Sequence, residues 1–266
     1  MNSPNKLAVT SQITSLSKLL TLLLLVTASS AFSHTHTGKQ TTSPLPLSLY
    51  QANYSAELSG LKINALQKLE KLESGIYRES LSAKNFIGKV NEQSTFSLEA
   101  DQLYPSKYSY IRSVFGRDRS EVQHFDWQNN KVQLERDGNA NSELPIEVGH
   151  LDMITHRLQL RRDLIAGKEI FSYPVISRGK LKLYNYKVVS EQVLQTAIGP
   201  LNTVRVDRVI EDGDKTVSLW LASDWDYLIV KLKQSQGKDG YHLNLQGAVI
   251  NSRTITPLAK TNENQL

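Results

Sequence analysis

The 266-residue chain contains no cysteine. That absence removes thiol catalysis, thiolate zinc sites and covalent haem attachment, and it leaves packing without disulfides to hold the fold. A lipid anchor on an N-terminal cysteine is excluded with them. Other signatures are missing as well. No Gly-x-Ser-x-Gly turn presents a serine nucleophile, no glycine-rich loop offers a phosphate cradle, and no two histidines stand four apart around a glutamate. Charges of both signs intermingle from Lys62 to Lys238, so the clustered basic face of a nucleic-acid binder is absent. No fixed-period repeat occurs, which disfavours propellers and solenoids.

Long apolar runs are also scarce. The main one, Leu19 to Ala28, is about half of the ~20 residues a membrane-spanning helix needs. Lys6 and Lys18 precede or flank it, no acid lies before Ser33, and Ala31 and Ser33 occupy small-residue positions. The pattern is that of a cleavable secretory signal over residues 1–33, cut after Ser33 or, alternatively, after Ala31. The mature chain is then a soluble exported protein without a membrane span or lipid anchor. Cleavage lowers the formal charge from +5 to +3, a mild excess compatible with weak attraction to anionic headgroups or acidic glycans.

Residues 34–46, rich in Thr, Ser, His and Pro, read as a flexible tether, and 257–266 as a disordered tail. Between them, residues 47–256 form a single β-rich domain dominated by period-two alternation, as in Tyr50, Ala52, Tyr54, Ala56 and Leu58. Strands are expected at 61–65, 76–83, 95–99, 107–115, 121–127 and 131–136, with a turn at Asn129-Asn130. The polar run 137–142 closes this half. Further strands are expected at 170–175, 180–190, 192–197, 202–210, 216–222, 227–234 and 241–250, with hairpins at 212–214 and 237–240. One segment departs from the alternation: Ile154, Leu158 and Ile165 recur at helical spacing near 152–166, with Asp152 as N-cap and Gly167 as stop. The fold class is mainly β: a large curved antiparallel sheet, half-barrel-like, with one central helix plugging its concave face.

Candidate chemistry is sparse. If cleavage follows Ser33, His34 and His36 stand at the new N-terminus, where the amine, two amides and His36 suit square-planar Cu(II) or Ni(II). The alternative reading is a polar spacer, and no other metal or cofactor is expected. His150, Asp152 and His156 form the densest acid–histidine cluster, although Asp152 four residues before His156 is better read as a cap with a helix-surface ion pair. His124 and His242 sit in alternating strands as half-buried surface residues. Glu211, Asp212 and Asp214 belong to a hairpin. Asp224-Trp225-Asp226 reads as a turn whose Trp225 covers the sheet end, with a sugar platform as the alternative. No catalytic or ligand-binding residue is assigned.

Three stretches carry a resemblance: Leu151 to Arg161, Ile198 to Val206, and Thr216 to Ala222 with Asp226 to Lys231. They resemble the exported bacterial family catalogued as domain of unknown function 3108, which usually has proline where Ile229 stands. Tyr50 to Tyr54 resembles it more loosely. The resemblance implies a periplasmic β-rich protein and supplies no catalytic residues. By architectural analogy alone, a curved sheet on a helix is also similar to lipoprotein-localisation factors. The leading expectation is a non-catalytic periplasmic protein that binds or carries an apolar or amphipathic envelope component such as a lipid. An envelope-assembly scaffold and an envelope hydrolase using Asp152 and His156 are the rivals. The sequence carries no signal for oligomeric state.

Overall fold

A computed structural model describes residues 46–58, 61–86, 88–210, 215–236 and 239–259, all within one unit spanning Ser43–Leu266. The first eight strands are β1 (Tyr50–Leu58), β2 (Leu61–Lys71), β3 (Tyr77–Lys84), β4 (Gly88–Glu99), β5 (Gln102–Val114), β6 (Arg117–Asp126), β7 (Lys131–Arg136) and β8 (Asn139–Pro145). Helix α1 (Thr155–Ile165) follows. The remaining strands are β9 (Phe171–Ser177), β10 (Lys180–Thr196), β11 (Gly199–Val209), β12 (Lys215–Ala222), β13 (Leu228–Gln236), β14 (Asp239–Ile250) and the short β15 (Arg253–Thr254).

The strand order is β8-β7-β6-β5-β4-β3-β2-β1-β14-β13-β12-β11-β10-β9, every neighbour antiparallel, with β15 added to β14. Two meanders therefore join where the first strand pairs with the fourteenth, Tyr50 opposite Ile250. The edges β8 and β9 do not pair, so the sheet stays an open half-barrel. Leu151 covers part of the β9 edge: its N–H donates to the Pro174 carbonyl at 2.9 Å and its carbonyl accepts from Ile176 N–H at 2.8 Å. Such cover blunts an edge that could otherwise pair with another chain.

Alternation explains the strands, and two-residue turns explain the hairpins. At Asp137-Gly138 and Arg178-Gly179 both residues have positive φ, the geometry that matches the twist of paired strands. The β7–β8 hairpin corrects one expectation. The polar run 137–142 does not close the half but contains a turn and most of the edge strand β8, which needs little apolar character. A second correction concerns β10, one 17-residue strand where two were expected; a bulge between Val188 and Ser190 absorbs the irregularity.

The helix lies in the concave face against β5 and β9. Nine of its eleven residues are buried, including Arg161, Arg162, Asp163 and Gln159. Leu158 and Leu160 anchor it at 3% and 0% exposure, each contributing about 1.5–3 kcal/mol of burial, whereas Ile165, expected on the apolar stripe, is exposed. The expected surface ion pair is thus replaced by a helix enclosed on nearly every side. Near the C-terminus, Leu258 N–H donates to the Pro200 carbonyl at 2.8 Å. Gly199, at φ +112°, sits where a Cβ would fall 2.6 Å from Pro257, so only glycine fits there.

Candidate functional site

Asp152 fixes the start of the helix. Its Oδ1 accepts the backbone N–H groups of Ile154 and Thr155 at 2.7 and 2.8 Å, and Thr155 Oγ1 accepts the Asp152 N–H at 2.9 Å. Ser94 Oγ donates to Oδ2 at 2.6 Å and ties the cap to β4. Burial pushes the Asp152 carboxyl up, against the pull of these hydrogen bonds. The cap expected from sequence is present, but it is buried and it does not touch an imidazole.

His156 instead meets the Asp152 backbone carbonyl at 3.1 Å through Nδ1. A carbonyl only accepts, so Nδ1 carries the proton and Nε2 accepts from the Tyr186 hydroxyl at 3.0 Å. The ring packs edge-on against Tyr184 and near-parallel to Tyr186. Burial first, then the neighbouring Arg157 cation, pulls its pKa down to about 3. It is a neutral, fully engaged histidine, and the acid–histidine dyad that a hydrolase would use is not assembled.

The other helix charges are matched one by one. Arg157 pairs with Glu92 at 3.3 Å, while the Tyr108 hydroxyl donates to the same carboxylate at 2.9 Å. Arg161 donates to the Asp226 carbonyl and lies over the Tyr50 ring. Arg162 reaches Asp101 at 2.7 Å. Asp163 accepts from Gln159, Lys168 and the Tyr173 hydroxyl within 2.9 Å. Deeper still, Glu79 of β3 accepts from Gln67, and burial pushes its carboxyl up.

Beside the N-terminal turn of α1 the concave face opens into a basin of about 460 Å³. One wall is β4–β6, with Glu92, Tyr108, Tyr110 and Glu121; the other is β9–β14, with Tyr184, Tyr186, Leu219 and Tyr241. Arg178, Lys182, Arg208 and Lys215 also line it, and among the described residues none of the four is ion-paired. Arg208 lies 3.3 Å over the Tyr184 ring, its buried Nε without a hydrogen-bond partner. The Lys215 amine is pulled down, by burial and then by Arg208, Arg178 and Lys182. Both acids of the facing wall are engaged: Glu92 as above, and Glu121 by Gln123 Nε2 at 2.9 Å and the Arg178 N–H at 3.1 Å.

The remaining sequence candidates fall elsewhere. His34 and His36 lie outside the described residues, as do Glu211, Asp212 and Asp214. His150 Nδ1 accepts the Glu147 N–H at 3.2 Å. His124 stands 3.8 Å from Glu135, both substantially exposed, and His242 is half-buried on β14. Asp224-Trp225-Asp226 is a structural turn: Asp224 accepts from Asn202, Asp226 accepts from Ser48, and Arg253 covers the Trp225 ring. Among the described residues no group of three or more His, Asp or Glu is placed to hold a metal ion, and no helix is long and apolar enough to cross a membrane. Sequence reasoning missed the basin cations. The signal was present in the register: Lys182 shares the inward parity of Tyr184 and Tyr186, Arg208 that of Val204 and Val206, and Lys215 that of Val217 and Leu219.

Compared with protein-family models, residues 76–245 match the one described as Protein of unknown function (DUF3108). That span runs from just before β3 into β14 and contains every basin residue named above. No curated protein matches the chain.

Proposed function

We propose that this chain, which belongs to the DUF3108 family, is a non-catalytic binding protein of the bacterial envelope that holds an amphipathic ligand in the basin beside α1. The observation that carries the reading is the basin itself: an open concavity of about 460 Å³ on the inner face of the sheet, within the size range of small-molecule sites. Its walls combine tyrosines and apolar side chains such as Met153, Val217, Leu219 and Leu232 with five basic and two acidic residues. Tyrosine rings offer apolar faces with a polar tip, which suits a ligand of mixed character. Export through the leader at 1–33 places the protein in the periplasm in this reading.

The test is native mass spectrometry of protein purified from its own periplasm, followed by exposure of stripped protein to dodecyl-chain amphiphiles. A retained one-to-one adduct is expected, as is a mature N-terminus at His34. Protein that arrives empty and retains none of these amphiphiles overturns the reading. A second reading, an assembly scaffold, is favoured by the exposed Leu181, Leu183 and Val193 along β10. It would give envelope-protein crosslinks in intact cells and no adduct.

A further inference from the structure

We infer that the basin selects an amphiphile with a phosphate-class oxyanion head, which Arg178, Lys182, Arg208 and Lys215 receive together. The inference rests on the binding reading above and specifies the ligand. Four cations from the β9–β10 turn, β10, β11 and β12 converge on one concavity. Like charges gathered in a partly buried place repel, and an occupying anion offsets that repulsion. The facing wall offsets it only in part: Glu92 is paired with Arg157, which leaves Glu121, held by the neutral Gln123 amide and Arg178 N–H, as one carboxylate against four cations.

The geometry is also prepared for an oxyanion. Stacking on Tyr184 holds the Arg208 guanidinium in place before any ligand arrives, so little side-chain freedom is lost on binding. Its Nε–H is buried without an acceptor, as is that of Arg157 on the same basin. Arg178 occupies a left-handed turn position at φ 54°, where Asn, Asp or Gly would serve the backbone better. Several cations meeting one head match a doubly charged phosphate monoester better than a neutral sugar head. Burial first, and then Arg208, Arg178 and Lys182, pull the Lys215 amine down, in keeping with cations gathered in a partly buried place.

Calorimetric titration with dodecyl phosphate, dodecyl glucoside and inorganic phosphate, each below any micelle threshold, tests this. Dodecyl phosphate is expected to bind at least tenfold more tightly than dodecyl glucoside, and inorganic phosphate more weakly than the dodecyl ester. Lys182→Gln combined with Arg208→Gln should lose at least tenfold for the phosphate ester and leave glucoside binding unchanged; Lys107→Gln, exposed on β5 outside the basin, should change neither. Raising salt from 50 to 300 mM should weaken the phosphate ester alone in the unmodified protein, a readout independent of any variant's folding. Equal affinity for the two amphiphiles, insensitive to salt, overturns the oxyanion head while the binding reading stands. Inorganic phosphate as tight as the ester overturns the lipid source of the head. Failure of both amphiphiles to bind sinks the binding reading itself.

Discussion

Two sets of charges lie on the concave side of this sheet, and they are treated differently. The helix charges Arg157, Arg161, Arg162 and Asp163 each meet a designated partner, whether a carboxylate, a carbonyl or a tyrosine hydroxyl. Arg178, Lys182, Arg208 and Lys215 line the same interior a few strands away and, among the described residues, meet no carboxylate at ion-pair distance. A matched buried charge belongs to the architecture, because removing its partner strands it in a poorly solvated place. An unmatched cluster detracts from stability, and under the proposal above a bound anion offsets that cost. The contrast sets matched charges of the helix against unmatched ones of the neighbouring strands.

The comparison can be broken most forcefully at Asp163. Asp163→Ala leaves the buried Tyr173 hydroxyl and Gln159 amide without their acceptor, while the exposed Lys168 amine turns to water, and should cost about 3–5 kcal/mol in urea denaturation; a loss under 1 kcal/mol would erase the distinction. Asp152→Ala removes both cap bonds and the Ser94 tie and should cost about 2–3 kcal/mol by the same measurement.

His156 gives a pH test. Its folded pKa of about 3 lies below the ordinary 6.5, so between those values the unfolded chain binds a proton that the folded one refuses. Stability therefore falls as pH drops below 6.5, with a slope approaching about 1.4 kcal/mol per pH unit from this residue. Glu79 and Asp152, both raised, act oppositely and add stability as pH falls through their folded values. Comparison with His156→Gln isolates the histidine: the variant's stability should decline less steeply with acid by about one proton. Parallel curves would show the imidazole to be charged or exposed.

The smallest effect is expected in the basin. Lys182→Gln with Arg208→Gln should shift stability by less than about 1 kcal/mol, in either direction. The same change should raise the Lys215 amine pKa, read by NMR of labelled lysine, because two of its repelling neighbours are gone. A large destabilisation there would make these cations structural after all.

Much of the fold was legible because alternation reports a one-sided sheet directly. The Tyr50 to Leu58 run and the Asp137-Gly138 turn needed only local geometry. The helix was visible through Asp152, whose capping is a contact of two and three residues' reach. Its buried charges were not, since Arg162, Asp163 and Arg161 read as solvated until Asp101, Tyr173 and Asp226 are brought alongside. β8 was hidden because an edge strand can be largely polar, as Asn139 to Glu143 is apart from Ala140. The basin was hidden for a related reason. Its cations come from four separate elements, and only the register of β9 to β12 reveals that they share an interior.

The seam between β1 and β14 bears on the order in which the molecule can assemble. Tyr50 finds Ile250 across three quarters of the chain, so each meander has a ragged inner border until β14 exists. Contacts of such sequence separation form slowly, since a long loop must close before any of them is rewarded. A chain delivered from its first residue onward thus waits for β14, the strand that bridges β1 and β13. Here the fourteenth strand acts as keystone, set between two meanders that precede it in the chain.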